Sequence, residues 1–210
     1  MLQAVRDAAA GSRTPFATLM SITAAASRRT DASGAGAFQF SEATWLDLVR
    51  RHGASAGRPD LAALAADRAG GPQDAARQAV IEARRDVGLA ARLAARHCDE
   101  CRARLAMTLG RPPKEEDVRL AYLLGVRGAA TLIAAAAATP QAGIHTLLPG
   151  AFARNRAVLS QHEKPLTAQQ ALAGLKARFA LEIAQTEAAQ RYAEGAALSV
   201  SPGNSSDRVR

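Results

Sequence analysis

The sequence predicts an all-α protein, and three observations carry that expectation. Ala accounts for 52 of the 210 residues. Ala, Leu and Arg, all good helix formers, dominate the chain. Gly, Pro, Ser and Thr recur where helices of ordinary length would begin and end. Aromatics are only 4%, which argues against a β-sandwich or barrel built from Val, Ile, Thr and aromatic residues.

Each element can be justified in order. Residues 1–11 read as a lead-in; Met1–Ala10 carries Arg6 and Asp7 and lacks the apolar centre of a secretory leader. Thr14-Pro15 has the form of an N-cap followed by Pro in the first helical turn, opening a helix to about Ser27. Residues 28–37, with Gly34 and Gly36, form a loop. Ser41 caps a helix from Glu42 to His52, closed by Gly53. Pro59 and Pro72 each stand where a first turn should begin, and a long helix is expected from Pro72 to Leu109, bent near Gly88. Gly110-Arg111-Pro112-Pro113 ends it. Beyond lie helices over 115–124, 128–138, 140–148 and 149–159. A last amphipathic helix, capped at Leu166-Thr167, carries Leu172, Leu175, Phe179, Leu181 and Ile183 as an apolar stripe. After Ala197 the Ser, Pro, Gly, Asn and Arg content predicts a disordered tail over 198–210. No strand and no internal repeat is expected.

Lys+Arg number 27 against 19 for Asp+Glu, a net +8, and 24 of the 27 are Arg. The excess favours anionic partners: nucleic acid, anionic lipid or an anionic cell-wall polymer. No run of five basic residues occurs, and the cations are interleaved with Asp and Glu as on a solvated face, which disfavours nucleic acid. Part of the Ala and Arg bias follows from a GC-rich genome and carries no functional information. The longest apolar run, Ala129–Ala138 broken by Thr131, is shorter than a bilayer requires and predicts a buried helix rather than a transmembrane segment. His97-Cys98-Asp99-Glu100-Cys101 holds both cysteines. A zinc site would need two further ligands, and His52, His145 and His162 stand alone. Two helix cysteines one turn apart is the simplest reading, with a local disulfide as the alternative. No metal and no cofactor is expected.

Pro15-Phe16-Ala17-Thr18-Leu19-Met20-Ser21 and Gly36-Ala37-Phe38-Gln39-Phe40-Ser41-Glu42-Ala43-Thr44-Trp45-Leu46 resemble the soluble lytic transglycosylases, lysozyme-like proteins that cut peptidoglycan. The first is similar to the family's first active-site helix. The second is similar to its Gly-Leu-Phe-Gln-Phe loop and the Thr-Trp-Leu helix after it. Weaker likeness continues in Leu109-Gly110-Arg111-Pro112, in Leu123-Leu124-Gly125 with Gly128-Ala129-Ala130, and in Leu148-Pro149 with Asn155-Arg156, as in an alphaproteobacterial-type branch. The resemblance covers Thr14 to Leu159. It implies a lysozyme-like domain over residues 12–160, a helical extension over 161–197, peptidoglycan glycan strands as ligand and a periplasmic home, while a cytoplasmic one stays open. It also implies a glycan-binding cleft with Ser27, Phe38, Gln39, Phe40 and Tyr122. Gln39 and Phe40 have the chemistry for this, since sugars are held by hydrogen bonds and by aromatic contact with their C–H faces. Phe38, Phe40 and Trp45 can equally be core residues of two packed helices.

The family's chemistry uses one Glu at the end of the first helix, followed by Ser, as acid and then base. An ungapped helix from Pro15 places Ala26 at that Glu and Ser27 at the Ser. Ala cannot donate a proton, and loss of a general acid forfeits about 10²- to 10⁴-fold in rate. The loop after Ser27 is also shorter than the family's and holds Arg28 and Arg29. A Tyr-Leu-Ala-His pattern of this branch corresponds to Arg119-Leu120-Ala121-Tyr122. Three linked departures point to a natural loss of catalysis. Two carboxylates are candidate substitutes: Glu42, whose place in a first helical turn lowers its pKa, and Asp31 in the shortened loop. The expectation is thus a transglycosylase-like pseudoenzyme that binds the cell wall or scaffolds a protein partner in an envelope assembly. The rivals are an active enzyme with a relocated acid and a basic nucleic-acid-binding helical protein.

Overall fold

A computed structural model describes residues 1–27, 36–66 and 73–199. Among the described residues the fold is all-α apart from one very short hairpin. Helix α1 (Leu2–Ala10) buries Val5 and Ala8 against the long central helix α6 (Val87–Leu109), so the lead-in is an integral helix. α2 (Phe16–Ser27) follows, but Thr14 does not cap it in the expected way. Its hydroxyl donates to Asp99 of α6 at 2.9 Å, and the Arg13 amide donates to the same carboxylate. The turn is therefore pinned to α6 rather than closed on its own helix.

α3 (Glu42–His52) begins and ends where its sequence signals stand. Ser41 Oγ accepts the Thr44 amide at 3.2 Å, and the Gly53 amide donates back to Val49. Arg50, Arg51 and His52 occupy the last turn, where the helix dipole favours cations. α4 (Pro59–Ala66) and α5 (Gln73–Glu82) pack on each other and on α3. The single helix expected from Pro72 to Leu109 is broken at Asp86 rather than bent at Gly88. After a 3₁₀ turn, Ala83–Arg85, Asp86 is extended (φ −69°, ψ 101°) and its side chain accepts the Leu89 amide at 3.0 Å. An Asp cap competes with helix continuation by satisfying the amides of the next helix.

α6 ends at Gly110 in the left-handed conformation (φ 64°). The two helices expected over 115–124 and 128–138 join in α7 (Glu115–Ala138), kinked at Gly125, whose φ of 76° and ψ of 159° are open essentially to glycine alone. With an 18-residue stretch of mean hydropathy 1.6, α7 is long and apolar enough to cross a membrane by length and composition. A search for an unbroken apolar run misses this because Arg127 interrupts it. In the fold α7 packs against α6 and against α11 (Ala168–Ser199), with Asp117 and Arg119 among its buried residues. Of the helix expected over 140–148 only α8 (Ile144–Leu147) forms. The next splits into α9 (Pro149–Arg154) and α10 (Arg156–Leu159) at Asn155, whose side chain donates to the Ala151 carbonyl at 3.0 Å.

The expectation of no strand is corrected by β1 (Ser160–Gln161) and β2 (Lys164–Pro165), an antiparallel pair pairing Ser160 with Pro165 and Gln161 with Lys164. Two-residue strands carry no alternation to read in a sequence. α11 opens at a reciprocal cap: Thr167 Oγ1 accepts the Gln170 amide, and Gln170 Oε1 accepts the Thr167 amide. Leu175, Phe179 and Ile183 are buried as expected, and Leu172 is half-buried. Leu181 is 58% exposed and Glu182 faces inward instead, because 182 and not 181 lies three residues after Phe179 on the helix. α11 docks on α2 and α7. The expected tail over 198–210 lies outside the described residues from position 200 onward.

Candidate functional site

The site grows from one tight turn. Gly36 has φ 67°, and a Cβ on it would meet the Arg84 carbonyl oxygen at 2.2 Å, so both backbone conformation and space require glycine. Its carbonyl accepts the Gln39 amide and the Gln39 Nε2, each at 3.2 Å. Gln39 itself sits at φ 52°, a region that costs a non-glycine residue about 1 kcal/mol or more. The strain turns the two flanking phenylalanines inward. Phe38 and Phe40 are 0% and 4% exposed, so their rings belong to the core and present no face to solvent. Gln39 is left half-buried at the surface.

Three elements lock this turn. Trp45 of α3 is fully buried and its indole N–H donates to the Val80 carbonyl at 2.6 Å. Phe40 packs against Trp45, against Tyr122 of α7 and against His97 of α6, with ring centroids 6.0, 5.6 and 6.2 Å away. The Tyr122 hydroxyl donates to the Phe38 carbonyl at 2.9 Å, and burial pushes its pKa well above the ordinary phenol range. Of the proposed cleft residues the structure thus brings Phe38, Gln39, Phe40 and Tyr122 together. Ser27 is the last residue of α2 and Ala26 the one before it. Arg28, Arg29 and Asp31 lie outside the described residues.

Glu42 is not poised as an acid. Arg77 hydrogen-bonds and ion-pairs with it, and that contact holds its carboxyl below the ordinary range. A general acid near neutral pH needs the opposite shift. The thiols of Cys98 and Cys101 are free and buried in α6. Burial pushes both up, Cys101 to about 12, the condition of inert rather than reactive cysteines. Among the described residues no group of three or more His, Cys, Asp or Glu side chains is arranged to hold a metal.

One feature escapes sequence reading. Arg119, 4% exposed, donates to the Ser21 carbonyl of α2 and to Glu182 of α11, both at 3.3 Å, and its guanidinium lies 4.6 Å over the Phe179 ring. Arg178 also donates to Glu182, at 3.0 Å. Arg119 is therefore the buried tie between α2, α7 and α11. Only the charged interruptions of two apolar stripes, at 119 and 182, hinted at it. Compared with models of protein families and with curated proteins, the chain matches none.

Proposed function

We propose that this chain is a peptidoglycan-directed, lytic-transglycosylase-like protein that has lost catalysis and serves as a cell-wall-binding or scaffolding module in the periplasm. The observation that carries the reading is the Gly36–Phe40 turn. It is built at a cost: a glycine against a backbone carbonyl, a strained Gln39, and a tyrosine hydroxyl spent on the Phe38 carbonyl. Strain of this kind persists where the surroundings over-determine it and where a side chain must be presented in one pose. Here the presented side chain is Gln39, an amide able both to donate to and accept from sugar hydroxyls.

Loss of catalysis is supported by Ala at position 26 and by the ion-paired state of Glu42. The lysozyme-like assignment rests on the sequence motifs, and the helical extension, α11, packs on the domain's own helices. The test is co-sedimentation with purified sacculi. The parent pellets with them, and Gln39→Ala pellets at least several-fold less. A Gln39→Ala variant that folds and pellets like the parent removes the turn from the ligand site.

A further inference from the structure

We infer that His97 is an acid-operated latch on the Gly36–Phe40 turn, holding Tyr122 and Phe40 in place while neutral and releasing them when protonated; as regulation of the glycan site this rests on the reading above. The imidazole packs edge-on against both rings that lock the turn, 5.4 Å from Tyr122 and 6.2 Å from Phe40, closing a three-ring cluster in which Phe40 and Tyr122 also touch. Its Nε2 meets Cys101 Sγ at 3.8 Å, and its Nδ1 is buried without a hydrogen-bond partner. A neutral ring with an unprotonated Nδ1 leaves one lone pair unsatisfied there. An imidazolium would bury an N–H donor and a charge, a much larger cost.

The groups around it do not relieve that cost. From α6, Glu100 favours the cation while Arg104 opposes it; from α3, Asp47 favours it and Arg51 opposes it. Glu100 is already engaged by Arg51 and by His52 at 2.7 Å, and Asp47 by Arg50 and Arg51. The Cys98 and Cys101 thiols and the Tyr122 hydroxyl are neutral, their pKa values raised by burial. Burial accordingly holds the His97 pKa below its ordinary value of 6.5. A base depressed in the closed state contributes stability that is complete above about 6.5 and is lost as pH falls towards the depressed value. In that window the open-to-closed ratio rises about tenfold per pH unit. Opening moves Tyr122, whose hydroxyl holds the Phe38 carbonyl next to Gln39.

Trp45, the one tryptophan of the chain, packs 6.0 Å from Phe40 and reports the latch without any ligand. Its emission should change between pH 7.5 and pH 5.0 with a midpoint below 6.5, at unchanged far-ultraviolet circular dichroism. The transition should survive in His52→Gln and vanish in His97→Gln. Its absence in the parent, or its persistence in folded His97→Gln, overturns the latch. If His97→Gln does not fold, proton NMR of the parent decides. A His97 ring resonance titrating below 6.5 together with the Tyr122 ring supports the latch, and a Tyr122 ring that ignores that titration overturns it. Sacculus pelleting at the two pH values separates the two ideas. A several-fold fall at pH 5.0, abolished by His97→Gln, supports both. A Trp45 transition with no pelleting at either pH leaves the latch standing and refutes the glycan reading.

Discussion

Gly36→Ala is the perturbation whose consequence can be worked most directly from the geometry. Two costs add. The first is conformational: at φ 67° an L-residue pays about 1–2 kcal/mol relative to glycine. The second is steric, because the new Cβ lies 2.2 Å from the Arg84 carbonyl oxygen. Backbone must move on one side or the other, and forced shifts of this kind cost about 1–3 kcal/mol. The sum is about 2–5 kcal/mol. Gly110 supplies the control, since its φ is 64° but a Cβ there meets nothing within 4 Å. Gly110→Ala should therefore lose only the conformational part. Urea denaturation followed by circular dichroism measures both variants, and the difference between them isolates the clash. Equal losses in the two variants would refute the claim that the turn is pressed against Arg84. Gly36→Ala should also blue-shift or red-shift Trp45 emission, because the Phe40–Trp45 contact lies downstream of the same turn, whereas Gly110→Ala should leave it alone.

Three further expectations follow from the same reasoning. His162 and Glu163 turn the hairpin with φ of 48° and 64°, a type I′ pattern that favours Asn-Gly; His162→Asn with Glu163→Gly should stabilise by roughly 1 kcal/mol and raise the melting temperature by about 2–4 °C, and a lower melting temperature contradicts it. Arg119→Met leaves Glu182 its pairing with Arg178 and should cost about 2–4 kcal/mol, while Arg119→Met with Glu182→Leu should recover part of it in a double-mutant cycle; additive losses refute the tie. Burial pushes the Asp117 pKa up, but hydrogen bonds from Lys176, the Lys114 amide and Arg111 outweigh it and hold the carboxyl below its ordinary value of 3.8. Its contribution is present above about pH 3.8 and lost on acidification. Asp117→Asn should therefore destabilise by about 1–3 kcal/mol at pH 7, with the gap to the parent narrowing below pH 4; a gap independent of pH contradicts the ionised state.

Where a structural feature depends on neighbours in sequence, it was legible. Ser41 and Gly53 bound α3, Gly110 ends α6, and Thr167 opens α11, because a cap is made by residues within four positions of one another. The all-α class was legible for the same reason, as the sum of many local preferences. Asp86 was not read as a break because a good cap inside a run of helix formers looks like one more helical residue until the Leu89 amide is seen to turn to it. The hairpin after Leu159 was too short to leave a period. The inward place of Glu182 depends on Arg119, 63 positions away, and no local pattern encodes a partner at that distance. At the site, the motif disclosed which residues cluster but not their facing: Phe38 and Phe40 turn into the core, and Gln39 is left half-buried at the surface.

Incubation of the purified chain with intact sacculi tests the central claim most directly, with the supernatant analysed by mass spectrometry and the pellet by gel. A module that binds the cell wall without cutting it predicts protein in the pellet and no anhydro-muropeptides in solution. Release of anhydro-muropeptides, or a chain that stays wholly in the supernatant, would contradict it.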